Sequence, residues 1–381
     1  MSDEPSRAAP GPRVLGELLR VFLRLGLVSF GGPAAHLALM EEELVRRRRW
    51  LTHERFMDLV SAANLVPGPN STEVAIHVGW LRGGWPGLVV AGCAFILPAA
   101  VLVSVLAVVY VRYGSVPAAR GMLGGIEPVV VAIVAHAAWK LARAAIRSPS
   151  QAAVAVLTIV AVLGGAGPLS VLIAAGLLGM MLRGRARPTT LVPLLVAPPG
   201  LAAPAAGIGL MPLFLVFVKI GSLIYGSGYV LLAFLRSELV EARGWLDSTQ
   251  LIDAVAVGQL TPGPLFTTAT FIGYLLAGLP GAVVATVGIF LPAFVFVAVS
   301  GPLVPRLRRS ASASAFLDGV NAASWALIVV VVGELGREAI VDLPTLVLTL
   351  GTAVGLVTTR INSAWWIAAG ALLGWLGVGN T

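Results

Sequence analysis

Two Pro-Gly-Pro triplets, each followed by small polar residues, are the features of this sequence best suited to bind a ligand. Proline interrupts a helix, and it is also favoured at a helix start, where serine and threonine cap the free amides. A helix that starts inside a bilayer presents those amides and the positive end of its dipole, which is an anion site. The alternative is an interfacial loop. The residues predicted at this site are Pro67, Gly68, Pro69, Asn70, Ser71 and Thr72, and Pro262, Gly263, Pro264, Thr267 and Thr268.

Two cations inside apolar segments, Arg24 and Lys219, are predicted to supply the countercharges. A cation at membrane depth costs a few kcal/mol on insertion scales and is therefore a functional candidate. Arg24 and Lys219 lie 195 residues apart, which is the shift at which the sequence repeats itself. They therefore occupy matching places in two related halves and could face one dianion from both sides. The alternative is that both side chains snorkel to the headgroups.

Glycines and amides near the triplets extend the candidate substrate site. Gly31 and Gly32 end or kink the first helix, and they either permit close helix packing or expose amides to the same cavity. Asn64 and Gln259 precede the triplets and are neutral hydrogen-bond donors suited to the oxygens of an oxyanion.

Proton coupling requires a titratable group at membrane depth. Glu73, Glu127 and His36 are the candidates, although lone helical histidines are usually structural. A cation transporter would carry symmetric pairs of carboxylates at membrane depth, and none of the paired membrane-depth positions of this sequence is acidic.

Enzymatic chemistry finds no support in the motifs. We see no Walker loop, no His-Glu-x-x-His and no Gly-x-Ser-x-Gly, so we predict a non-enzyme without cofactor or metal. Cys93 is the single cysteine, which excludes a disulfide framework within the chain.

The composition is that of a membrane protein. The chain is 57% hydrophobic and 12% charged, with a mean hydropathy of +0.92, whereas soluble domains carry about 25% charged residues. Its arginines lie between apolar segments, as orientation determinants do, so the net charge of +8 does not indicate a nucleic-acid partner. The lipid bilayer is the predicted environment of many spans.

The sequence repeats itself at a shift of 195 residues. Phe22–Gly26 matches Phe217–Gly221, and both the Trp-Leu pairs and the triplets align at the same shift, which chance matching of apolar runs would not produce. We predict a mobile tail over 1–13 without a cleaved signal peptide, a first repeat over 14–187, a Pro/Gly/Ala-rich linker over 188–210 and a second repeat over 211–381.

Each half is predicted to contain a helix over Val14–Met40 or its counterpart, a triplet-broken segment and four further apolar runs. If the broken segment turns back, each half crosses the bilayer about five times, and an odd number inverts the second half. The positive-inside rule favours this, because Arg46–Arg49 and Lys140–Arg147 then share one side. We predict an all-α integral membrane protein with two inverted-topology repeats, about ten transmembrane helices and two re-entrant segments.

The chain resembles the chromate ion transporter family in its long two-domain form, over nearly its whole length. The motifs that carry the resemblance are Gly26, Ser29-Phe30-Gly31-Gly32-Pro33, His36, Arg48, Trp50-Leu51, Pro67-Gly68-Pro69-Asn70-Ser71-Thr72 and Leu97-Pro98. Asn64 and the Tyr225-Gly226-Ser227-Gly228 stretch depart from the family pattern, which leaves the substrate open between chromate and sulfate or another tetrahedral oxyanion.

The resemblance implies export of chromate across the cytoplasmic (inner) membrane of a prokaryote, with chromate resistance as the result. A membrane scaffold without a transported substrate is the alternative from another class. The oligomeric state is open, and a homodimer is compatible with the sequence.

Overall fold

The computed structural model describes residues 11–30, 32–114, 116–182, 208–225, 228–300, 310–359 and 361–377, and it contains no strand within these ranges. In the first half the helices are α1 Pro12–Val28, α2 Pro33–Glu41, which continues as a π-helical turn Glu42–Arg47, α3 His53–Ala63, α4 Asn70–Tyr113, α5 Pro117–Ala145, α6 Pro149–Leu163 and α7 Pro168–Leu182.

The second half repeats this order of elements. Its helices are α8 Leu210–Leu223, α9 Val230–Leu235 with a π-helical turn Arg236–Glu241, α10 Ser248–Leu260, a 3₁₀ turn Leu265–Thr267, α11 Thr268–Ser300, α12 Ala311–Ala339, α13 Leu343–Thr358 and α14 Ser363–Trp375. Most of the predicted linker and of the predicted tail lies outside the described residues.

α4 and α11 are each bent sharply at a glycine. Gly84 has φ 54° and Gly278 has φ 63°, a left-handed conformation that glycine adopts without strain. The two arms of α4 then fold back on each other, since a Cβ at Gly79 would lie 2.6 Å from the Cβ of Ala91. α4 therefore has a short arm over 70–82 and a long arm over 85–113.

The two ends of the segment that carries the first triplet lie side by side. The Arg82 guanidinium, at the end of the short arm of α4, lies 3.9 Å from the centroid of the Trp50 ring, just before α3. The two ends of this segment are therefore close together, and its re-entry into the membrane stays a prediction.

The single helix predicted over Val14–Met40 is wrong in one respect, because the chain also turns back there. α1 ends at Val28 and α2 starts at Pro33, and Gly32 between them has φ 81°. Glu17, near the start of α1, lies 3.4 Å from Arg82, the residue that Trp50 also contacts after α2. The odd count of crossings that included this helix therefore does not explain how the halves are oriented.

α5 and its counterpart in the second half, α12, run antiparallel to each other. Trp325 of α12 donates its indole N–H to the carbonyl oxygen of Ala138 in α5 at 2.9 Å, whereas Gly336, further along α12, packs beside Val131, earlier in α5. The long arms of α4 and α11 also pack together, with Gly92 against Phe294.

The last two helices of each half pack on the long helix of the other half. α6 and α7 lie on α12, while α13 and α14 lie on α5. Glycines permit the close approach, since a Cβ at Gly125 of α5 would meet the backbone of Gly374, and Gly319 of α12 lies as closely against Ala175. The halves are therefore intertwined.

The molecule is built as a multi-pass membrane protein. Among the described helices, four are long and apolar enough to cross a bilayer, within α4, α5, α11 and α12, and four shorter apolar helices accompany them. Large apolar side chains such as Trp139, Val160 and Trp365 are exposed on the outer surface, which suits contact with lipid.

Candidate functional site

One cavity of about 1010 Å³ reaches both Pro-Gly-Pro breaks. It lies between the halves, and its walls come from the start of α2, the ends of α3 and α5, the start of α4, the first part of α12 and the turn between α13 and α14. The predicted site residues that line it are His36, Asn64, Pro69, Asn70, Ser71 and Pro264.

The first-half wall of this cavity is polar. α4 starts at Asn70 after Pro69, and no side chain caps its first turn. The Asn70 amide donates to the Asn64 side-chain oxygen at 2.6 Å, and the His36 ring lies 3.2 Å from the Ser71 hydroxyl. A helix start with uncapped amides beside amide and hydroxyl groups is suited to the oxygens of an anion.

The second-half wall is apolar, which differs from the predicted symmetric site. Leu265 and Phe266 stand at the cavity where the first half has Asn70 and Ser71. The predicted donors that follow are buried and turned back. Thr267 donates its hydroxyl to the carbonyl oxygen of Pro264 and Thr268 to that of Leu265, both at 2.8 Å.

The triplet glycines join the halves. Gly68 donates its amide to the carbonyl oxygen of Ile224 at 2.8 Å, and Gly263 donates to that of Ser29 at 2.7 Å. These two amides, predicted to bind the anion, are therefore used in a matched pair of contacts between the halves. Pro67, Gly68, Pro262 and Gly263 do not line the large cavity.

The structure does not bring Arg24 and Lys219 into the cavity. Arg24 lies 3.9 Å from Glu43, and Lys219 lies 2.5 Å from Glu238, the equivalent glutamate of the second half. Arg48 also donates to Glu43 at 2.7 Å, and this hydrogen bond lowers the pKa of the Glu43 carboxyl from its usual value. That Arg24 and Lys219 contact the substrate stays a prediction.

Three basic residues that sequence reasoning leaves outside the substrate site line the cavity instead. They are His136 and Lys140 of α5 and Arg147 just after it. His136 and Lys140, four residues apart, lie on one face of α5, whereas Arg147 follows the end of the helix. In the sequence, Lys140 and Arg147 serve only to orient the chain. No salt bridge involves Lys140 or Arg147 among the described residues.

The three candidates for proton coupling have different surroundings. Glu73, in the first turn of α4, is fully buried, and neither carboxylate oxygen has a hydrogen-bond partner in the described part of the chain. Glu127 of α5 lies away from the cavity, among the charges of Asp253, Asp247 and Glu338. His36 lines the cavity, and its Nε2 is buried without a partner in the same part.

The remaining predicted residues lie beside the cavity or cannot be described. Gly32 and Gln259 line a second, water-sized space with Tyr229, whose hydroxyl hydrogen-bonds Gln259. Thr72 is fully buried. Gly31 lies outside the described residues. Within those residues no group of three or more metal-ligating side chains occurs.

Comparison with known proteins gives the same relationship over both halves. A family model described as "Chromate transporter" matches residues 16–180 and again residues 211–375. A "Chromate transport protein" of Cupriavidus metallidurans is 34% identical over 369 residues, covering 94% of this chain and 92% of that protein. No solved structure matches the chain.

Two further relatives are similar over most of their length. A "Probable chromate transport protein" of Synechococcus elongatus is 32% identical and covers 88% of each chain. A "Chromate transport protein" of Pseudomonas aeruginosa is 31% identical, covering 98% of this chain and 95% of that protein.

Proposed function

Because the chain belongs to the chromate transporter family, we propose that it carries chromate across the membrane and binds it in the cavity between its halves. The observation that carries this proposal is that one cavity connects both triplet breaks and is lined by Lys140 and Arg147.

The physical requirement is to replace the water around a dianion. An ion moved from water into a low-dielectric region loses solvation of several kcal/mol per charge even after relaxation. Lys140 and Arg147 supply two positive charges, and the uncapped start of α4 supplies amides in the same cavity. Cations and helix-start amides together can therefore replace the water around the substrate.

We propose that the halves are inverted across the membrane, with both triplet segments re-entrant. The antiparallel packing of α5 and α12 supports inversion, and the Trp50–Arg82 contact supports re-entry. The arginine-rich loops then face the cytoplasm, and so does the mouth of the cavity beside Arg147.

We propose export as the direction of transport. A membrane potential that is negative inside favours dianion exit by about 2.3 kcal/mol per charge per 100 mV, so export requires no nucleotide site. The chain would then act in a prokaryotic cytoplasmic membrane and confer chromate resistance.

The experiment is uptake of labelled chromate by inverted membrane vesicles that contain the protein. We expect Lys140→Ala and Arg147→Ala each to lower the initial rate at subsaturating chromate about tenfold or more, because a charge-assisted contact contributes roughly 1.5–3 kcal/mol. Arg143→Ala is the matched control, since Arg143 lies on the same helix but does not line the cavity. Equal rates for all three variants and the parent would contradict the assignment.

Sulfate competition in the same vesicles tests the substrate class. Sulfate is also a tetrahedral dianion, and no group that lines the described cavity distinguishes sulfur from chromium at the centre of the ion. We therefore expect sulfate to compete with chromate. Unaffected chromate uptake in excess sulfate would show a selectivity that this cavity does not explain.

A further inference from the structure

A second cluster of charges lies outside the cavity. Arg236 of the second π-helical turn lies 2.9 Å from Glu334, 3.1 Å from Glu338 and 3.3 Å from Glu241. The two α12 carboxylates lie beyond the part of that helix that lines the cavity, which ends at Ile328. This cluster ties the second π-helical turn to the end of α12.

The internal repeat gives this contact a counterpart in the first half. Trp50 and Trp245 fix the shift at 195 residues in this region, so Arg236 corresponds to Glu41. α5 and α12, Pro117–Ala145 and Ala311–Ala339, correspond at a shift of 194, so Glu334 corresponds to Lys140. The counterpart of Arg236–Glu334 is therefore Glu41–Lys140, with the signs reversed.

The counterpart pair is apart in this structure. Lys140 lines the cavity, and Glu41 contacts the His53 ring at 3.0 Å instead. Leu37, one helical turn before Glu41, lines the same cavity as Lys140, so Glu41 lies close to the cavity wall that α2 forms. The Arg236–Glu334 pair is formed outside the cavity, whereas the counterpart pair, beside the cavity, is separated.

We propose that Glu41 and Lys140 form a gate that closes the cavity when the Arg236–Glu334 contact opens. Inverted repeats reach their second state when each half takes the conformation of the other, so a contact made by one half is made next by its counterpart. Opposite charges attract whichever helix carries which sign, so reversal preserves the gate. An oxyanion held by Lys140 competes with Glu41, and therefore keeps this gate open until it moves deeper.

The first test uses charge variants and a cysteine on the cavity wall. In a Cys93→Ala background, Ser314→Cys reports cavity access through its rate of reaction with a charged maleimide. We expect Arg236→Gln to lower that rate several-fold, because loss of the far contact favours the state in which the cavity is shut. Glu41→Gln should leave the rate unchanged or raise it.

Arg243→Gln is the matched control, because Arg243 pairs with Glu238 and not with α12. A merely structural loss would loosen the protein and raise the rate for Arg236→Gln. An increased or unchanged rate for Arg236→Gln would overturn the gate.

The second test measures the proposed contact itself. Glu41→Cys with Lys140→Cys, in the Cys93→Ala background, should be cross-linked slowly by a short bifunctional thiol reagent, and several-fold faster when Arg236→Gln is added. No acceleration of this pair when Arg236→Gln is added would reject the exchange, even if the maleimide result agreed.

This inference rests on the proposed transport, but its failure can be told apart. If the parent takes up no chromate in vesicles, the proposed function fails whatever the thiols show. If the parent transports chromate and the reciprocal shifts are absent, only the gate fails. Chromate is left out of the thiol experiments because it oxidises thiols.

Discussion

Among single residues, Glu73 has the environment least suited to a charge. It is fully buried, no described group donates a hydrogen bond to it, and no cation pairs with it in the described ranges. An ionised carboxylate in such surroundings is costly, so the protonated form is favoured. Its neighbours on α4, Asn70 and Ser71, line the cavity, so a dianion bound there would disfavour its ionisation further.

We therefore predict that Glu73→Gln abolishes the response of chromate transport to a pH gradient while the protein still folds and binds substrate. Glutamine has the size of the protonated glutamate but carries no exchangeable charge. The measurement is chromate uptake by vesicles with an imposed pH gradient at fixed membrane potential.

Glu127→Gln is the comparison for this prediction, because Glu127 is the second acidic candidate and lies away from the cavity. If Glu127→Gln alone removes the response to the pH gradient, the coupling role belongs to α5. If both variants keep the parent response, neither glutamate couples transport to protons.

The cations show what a sequence can and cannot predict at this scale. Arg24 and Lys219 stand out because they lie inside apolar segments, but their glutamate partners become visible only when α1 and α8 are placed beside the π-helical turns that follow α2 and α9. Lys140 and Arg147 indicate only orientation in the sequence, because they lie near a helix end. The position of a cation along a helix predicts its depth in the membrane. Whether that cation can bind substrate depends on whether a carboxylate of the protein already pairs with it.

Among the elements, the two triplet loops act as matched connections between the halves. Gly263 has φ 104°, and a Cβ there would lie 2.6 Å from the Cβ of Ala99 on the long arm of α4. Its amide bond to Ser29 and the equivalent bond of Gly68 to Ile224 fix each loop to the other half. A side chain at Gly263 must therefore disturb both the loop and the contact between the halves.

We predict that Gly263→Ala lowers the free energy of unfolding by about 2–5 kcal/mol, since strain at positive φ adds about 1–2 kcal/mol to an overpacking cost of roughly 1–3 kcal/mol. Thermal unfolding of the protein in detergent measures this change.

Gly165→Ala is the matched control, because Gly165 has φ 91° but a Cβ added there would meet no atom within 4 Å. It should show the backbone strain alone. Equal losses for the two variants would mean that the contact with Ala99 contributes nothing.

The sequence predicts where the helices are interrupted better than it predicts the path of the chain between them. The Pro-Gly-Pro break and the kink after Gly31-Gly32 follow from local backbone chemistry, which is why the sequence places both breaks correctly. The return of the chain after α1 escapes prediction, since it depends on contacts of Glu17 and Trp50 with Arg82. Hydropathy alone does not distinguish two short arms from one crossing.

At the scale of the whole molecule, the exchange of terminal helices makes each half depend on the other. α7 packs Gly176 and Gly179 against α12, as α14 packs Gly370 and Gly374 against α5, and α6 and α13 lie beside them on the same long helices. The repeat is evident from the aligned Trp and Pro-Gly-Pro residues. The exchange of terminal helices is not evident, because small residues allow close packing but do not specify which helix they pack against. A cavity between such halves changes shape only when both halves move together.

This arrangement predicts that the halves remain associated after the chain between them is cut. A specific protease site placed within residues 188–207 and cleaved after purification in mild detergent should leave two fragments that co-elute at the position of the uncut protein. Gly125→Leu in the same cleavable chain should release them, since its side chain would meet the backbone of Gly370 and Gly374 on α14. Gly333→Leu on α12 is the control, because Gly333 has no neighbouring atom within 4 Å of a Cβ, and its fragments should stay together. Fragments of the unsubstituted protein that separate on cleavage alone would show that the linker, and not the exchanged helices, holds the halves together.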